Sequence, residues 1–149
     1  MKLRIYLDTS VFSVYYDERT PERQAETRAF WLRLDAFEAA SSELAREELL
    51  QTPDDGQRAM LLGLMEGFAI HPITEDMKTL AHRYVEKDVF PVKVFNDALH
   101  VAAAVLTRQD ILVSWNFKHL VNRQRRAKVN DINTSLGLPT IEIVPPPEV

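Results

Sequence analysis

The chain has 149 residues, 46% hydrophobic and 27% charged, with 18 Lys and Arg against 22 Asp and Glu for a net charge of −4. These proportions suit one globular domain and argue against disorder, a wholly basic nucleic-acid binder or a polybasic membrane-surface protein. The absence of cysteine excludes disulfides, thiolate catalysis and metal sites built on sulfur.

Taken in chain order, the first ten residues meet charge almost at once and do not read as a signal peptide. No stretch approaches the ~20 apolar residues of a membrane span, so a soluble, cytoplasmic protein is expected. Leu3 to Leu7 is an apolar run ending at Asp8 and reads as a buried strand. Thr20-Pro21-Glu22 starts a helix running to about Ala36, because Thr caps, Pro suits the first helical position and acid suits the first turn. Phe37 to Ser41 is a short strand, and Ser41 or Ser42 caps a helix to about Gln51. Thr52-Pro53-Asp54-Asp55-Gly56 is a break before a helix over residues 56–66.

Phe68 to Ile73 is the next strand candidate, and Thr74 caps a helix carrying Met77, Leu80, Ala81 and Tyr84. Asn96 is expected to cap a strongly apolar helix from Asp97 to Leu106, followed by a strand over Asp110 to Ser114. Residues 122–136 form a polar helix stopped at Gly137, Thr140 to Val144 is a last strand, and three prolines begin an extended tail. Four or five strands alternating with helices predict an α/β sandwich with a mainly parallel sheet, whose sites lie beyond the carboxyl ends of the strands. A single domain covers residues 1–144, with a Pro-rich tail at 145–149.

Several polar residues fall where apolar sequence surrounds them. Asp8 ends a strand, and alone it reads as a turn or helix cap. Glu48 lies on a helix, where a solvated glutamate is the plainer reading, and helix phase does not separate it from Glu47. Asp97 starts an apolar helix, where a carboxylate favours the helix dipole, and His100 shares its face. Ser114 ends a strand, with Asn116 two residues on. Converging carboxylates raise one another's pKa unless a cation joins them. Oxygen ligands without Cys or paired His point to Mg²⁺ or Mn²⁺ with several waters retained.

Together these residues resemble the PIN-domain family, which includes the VapC-type toxins. The resemblance rests on Leu7-Asp8-Thr9-Ser10, on Glu48 six residues after Ser42, and on Asn96-Asp97-Ala98-Leu99-His100-Val101-Ala102. It covers nearly the whole chain and implies a three-layer α/β/α sandwich around a mainly parallel sheet of four to five strands. It further implies a metal-dependent ribonuclease, the toxin of a type II toxin–antitoxin pair, acting on RNA, inhibited by a cognate antitoxin and forming a homodimer. The fourth motif departs: Ser114-Trp115-Asn116 stands where many PIN domains carry an aspartate, resembling a branch with Trp-Asn-Phe-Lys-His. Loss of that charge implies weaker metal binding or a single metal. It leaves a second reading, a catalytically weak or inactive module that binds RNA or protein.

On this reading Asp8, Glu48, Asp97 and Asn116 are the catalytic residues. Asp8 and Asp97 are ligands of the principal metal, Glu48 completes the acid pocket and orients water, and Asn116 binds the metal's water shell or the scissile phosphate. Thr9 and Ser114 support them by hydrogen bonds. Residues 111–130 contain no acid but hold Lys118, Arg123, Arg125, Arg126 and Lys128. That gives this run +5, against −9 for the rest of the chain. A basic run beside a carboxylate pocket suits a phosphate backbone, and Trp115 is expected to stack on a base. The alternative is a solvated helix face and a packed tryptophan. Trp31 reads as core or dimer surface rather than a base platform, and His71 and His82 read as structural.

Overall fold

The computed structural model describes residues 1–149. Its five strands are β1 (Leu3–Leu7), β2 (Phe37–Ser42), β3 (Ala69–His71), β4 (Ile111–Val113) and β5 (Glu142–Val144). They form one parallel sheet in the order β3-β2-β1-β4-β5. Seven helices accompany it: α1 (Thr9–Tyr15), α2 (Pro21–Trp31), α3 (Glu43–Leu49), α4 (Asp55–Leu64), α5 (Glu75–Glu86), α6 (Phe95–Leu106) and α7 (Arg123–Ser135).

Alternation along β1 divides the core, since successive side chains of a strand point to opposite faces. Ile5 and Leu7 pack with Val11, Phe12, Phe30, Leu49, Leu61 and Val113 under α1, α2, α3 and α4. Tyr6 faces the other way, with Leu80, Tyr84, Val101, Leu112 and Val129 under α5, α6 and α7. The expected three-layer architecture is therefore present, and the helices after Pro21 and Asp54 bury Phe30 and Leu61 in its core. No helix is long and apolar enough to cross a membrane.

Local signals placed most boundaries. The side chains of Ser42, Asp54, Thr74 and Asn122 cap α3, α4, α5 and α7. Gly137, at φ +72°, turns the chain where α7 stops. Three expectations need correction. Asn96 is not a cap: a 3₁₀ turn over Val92–Val94 feeds directly into α6, so the helix already includes Phe95 and is capped at Val94 without a side-chain bond. The helix after Pro21 ends at Trp31, and a separate 3₁₀ turn spans Leu34–Ala36. The proline tail is not wholly extended. Pro146–Glu148 forms a 3₁₀ turn, with Pro146 buried and its carbonyl accepting from Arg33 Nη2 at 3.2 Å.

Candidate functional site

Asp8, Ser42 and Ser114 stand at or just beyond the carboxyl ends of β1, β2 and β4, so the parallel sheet alone gathers them at one edge. Asp8 is buried and caps α1. Its Oδ1 accepts from Ser10 N at 3.0 Å and from Ser10 Oγ at 2.6 Å, and its Oδ2 accepts from Ser114 Oγ at 2.5 Å. Burial nevertheless holds the Asp8 carboxyl above its ordinary pKa, against the lowering effect of His100 and these hydrogen bonds.

Asp97, in the first turn of α6, is half-buried and also raised. Burial is the main cause, and the negative charges of Asp8 and Glu48 add to it, while His100 and His119 oppose it. Asp8 and Asp97 are therefore near enough to act on one another by charge, and neither has an ion-pair partner in the chain.

Glu48 is held differently. Its Oε1 accepts from Thr9 Oγ1 at 2.7 Å and from His100 Nε2 at 2.6 Å. Burial pushes its carboxyl up, but the His100 bond and charge, with the Thr9 bond, outweigh it and leave the pKa lowered. Glu47 is exposed, so the turn of α3 directs Glu48, not Glu47, into the pocket. Behind Glu48, His100 Nδ1 pairs with Tyr6 OH at 2.7 Å, and Tyr6 OH pairs with Ser42 Oγ at 2.6 Å. Tyr6 has no prominence in the sequence; it stands out only as a polar tip on a buried strand. His100 does carry a signal, its i+3 spacing from Asp97.

Asn116, expected to bind a metal's water shell or the scissile phosphate, is held within the chain at both ends of its amide. Its Oδ1 accepts the His119 backbone N–H at 2.9 Å, which fixes the amide orientation and turns Nδ2 toward Asp97 Oδ2 at 3.4 Å. Asparagine here is a donor to the acid. His119, unremarked in the sequence beyond its place in the motif, lowers Asp97 by its charge and has a buried Nδ1 without a partner.

Trp115 is also corrected. It is buried in the core, its Nε1 donates to Thr27 Oγ1 at 2.8 Å, and its ring is not free to receive a base. The basic run divides. Lys118, Arg125 and Lys128 line one open cavity of about 400 Å³ with Asp88, Asn122 and Gln124. Arg125 is half-buried over the Phe90 ring at 4.7 Å and donates to the His119 carbonyl at 3.1 Å. Arg126 is tied to Glu142 at 3.3 Å, and Arg123 is exposed, so neither lines that cavity. Trp31 packs edge-on against Phe12 and Tyr15, and His82 lies against Phe95.

No set of three or more His, Cys, Asp or Glu side chains is spaced to hold a metal. The donor chemistry still fits a hard cation: the groups bonded to Asp8 and Asp97 are hydroxyls, backbone N–H and one amide, and both carboxylates are raised. The fit is to one cation retaining much of its water, because Glu48 is already committed to His100 and Thr9.

No protein-family model and no curated protein matches the chain. Solved structures do. A chain of a toxin–antitoxin complex from Klebsiella pneumoniae matches at TM-score 0.58 and 18% identity, over 81% of this chain and 93% of that one. A chain of VapBC2 from Rickettsia felis, bound to a DNA fragment from its promoter, matches at TM-score 0.57 and 13% identity, over 96% of this chain and 98% of that one. At such identities the likeness is one of fold: a five-stranded parallel sheet between two helical layers, the α/β architecture of PIN-like VapC structures.

Proposed function

We propose that this chain is a divalent-metal-dependent endoribonuclease and the toxin of a toxin–antitoxin pair. The observation that carries the reading is Asp8, just beyond the end of β1, acting by charge on Asp97 in the first turn of α6, with no ion-pair partner for either carboxylate. The likeness to chains from toxin–antitoxin structures over nearly their full length supports an antitoxin partner.

Asp8 and Asp97 would hold one Mg²⁺ or Mn²⁺. Such a cation supplies positive charge where phosphodiester cleavage builds negative charge, and it acidifies water. Ser114 and Ser10 fix Asp8, while Asn116 orients Asp97 through its amide N–H. Glu48, ionised and held by Thr9 and His100, is placed to accept a proton from water at its free Oε2. Lys118, Arg125 and Lys128 bring the RNA backbone to the pocket by charge. The chain acts as a homodimer on cytoplasmic RNA.

Labelled structured RNA incubated with purified protein and Mn²⁺ tests this. Wild type should cleave and Asp8→Ala should not; equal cleavage by both would assign the activity to a contaminant. A specific observation favours a second reading, an RNA- or protein-binding module without catalysis: the Asn116 amide already sits against Asp97 where a fourth carboxylate would raise metal affinity. Mn²⁺ binding without cleavage supports that reading.

A further inference from the structure

Removing Trp115 from the RNA surface leaves the question of where an unpaired base would rest. Phe117 is the one exposed aromatic residue in the chain, with 44% of its surface accessible. It follows Asn116, whose amide Nδ2 lies 3.4 Å from Asp97 Oδ2. The loop beneath it is tightly tied: Phe117 N donates to Trp115 O, Leu120 N and Val121 N donate to Asn116 O, and Asn116 Oδ1 takes the His119 N–H. A ring fixed in water by such a loop has already lost the freedom that binding would otherwise remove.

Arg23, at the start of α2, braces this ring. Its guanidinium lies 5.2 Å from the Phe117 centroid and 5.2 Å from the Trp115 centroid. Trp115 and Phe117 are themselves 6.2 Å apart, so a buried ring anchors the exposed one. Arg23 is exposed and has no carboxylate partner among the chain's ion pairs, which leaves its charge available to a phosphate. The next residue, Lys118, lines the basic cavity against α7. Neighbouring side chains of one loop thus present a flat apolar face toward α2 and a cation toward α7.

We propose that Phe117, braced by Arg23, is a stacking platform for an unpaired nucleobase of single-stranded RNA, with Arg23 contacting the adjoining phosphate. Arg23 belongs to a part of the chain remote from the basic run, so the substrate surface extends onto α2. The platform rests on the RNA reading of the pocket and narrows it to unpaired RNA, because a paired base offers no free face to a side chain.

Binding of labelled single-stranded RNA and of a blunt duplex is measured in EDTA, so that cleavage does not intervene, for wild type, Phe117→Ala, Phe117→Tyr and Arg23→Gln. Phe117→Ala should weaken single-strand binding by about 10-fold or more, leave its salt dependence unchanged and barely alter duplex binding. Phe117→Tyr should restore binding to within about 2-fold, since a ring of the same face is kept. Arg23→Gln should weaken binding and lower the salt slope by about 0.7. Wild-type binding with Phe117→Ala unchanged overturns the platform. Equal losses on single strand and duplex also overturn it. No RNA binding by wild type overturns the RNA reading itself, and the platform with it.

Discussion

The carboxylates of the pocket are held in two opposite ways. Glu48 has a histidine partner at 2.6 Å and is ionised more readily than an ordinary glutamate. Asp8 and Asp97 have hydroxyl, amide and backbone partners but no cation in contact, and both ionise less readily than usual. The difference lies in who supplies the partner: a side chain of the fold for Glu48, and none with a positive charge in contact for the aspartates. Glu48 has its hydrogen-bond partners within the fold, while burial makes the charged form of each aspartate unfavourable, which is the setting a bound cation would relieve.

The strongest test of that contrast removes each aspartate in turn. Asp8→Ala and Asp97→Asn should each lower Mn²⁺ affinity and RNA cleavage by about 100-fold or more, on the scale of losing a metal's supporting groups. Titration calorimetry and a labelled-RNA assay read the two effects. Unaltered Mn²⁺ binding in Asp97→Asn would remove Asp97 from the metal site.

Stability should separate the two kinds of acid in sign. Glu48→Gln takes a charged acceptor from buried His100 and should cost about 1–2 kcal/mol, or roughly 2–8 °C in Tm. Asp97→Asn should raise the Tm of the metal-free protein, because it removes an uncompensated charge. A lower Tm for Asp97→Asn in EDTA would break the comparison.

The pH dependence follows from the same signs. Asp8 and Asp97 bind protons more tightly folded than unfolded, so their contribution to stability is present at low pH and falls as pH rises from about 4 through their raised values. Glu48 does the reverse: its contribution is present above the unfolded value and is lost as pH falls through its lowered one. In EDTA the melting temperature of Asp97→Asn should therefore decline less than that of wild type on the upper side of this window. Saturating Mn²⁺ should abolish the difference by stabilising wild type selectively.

Smaller effects are expected away from the pocket. Thr27→Val strips the acceptor from buried Trp115 Nε1 and should cost about 1 kcal/mol without changing RNA affinity. Arg126→Ala breaks a solvent-facing pair with Glu142 and should shift stability by less than about 1 kcal/mol.

The sequence made the strands legible because β1, β2 and β4 are apolar or small-residue runs bounded by caps, and it made the helix starts at Ser42, Thr74 and Asn122 legible because each cap bond is local. Asn96 misled because a polar residue in a first helical turn resembles a cap, while the true start depends on a preceding 3₁₀ turn. Asp8, Glu48 and Asp97 were visible as acids in apolar settings. Their partners were not: the Tyr6–His100 bond joins residues 94 positions apart, and no local pattern announces it. Trp115 and Phe117 illustrate the same limit. Both are aromatic residues of one loop, and only packing against Thr27 and Arg23 decides which is core and which is surface.

Because β1 lies in the middle of the sheet, the pocket cannot exist in a half-made chain. Asp8 is synthesised first, but Ser114, which fixes its Oδ2, lies 106 residues later, and β4 must pair beside β1 before the two meet. Pairing across so long a separation is slow and late in folding. The acid pocket therefore assembles only once most of the chain has been made, and a truncated or stalled product would carry Asp8 without the partners that fix it.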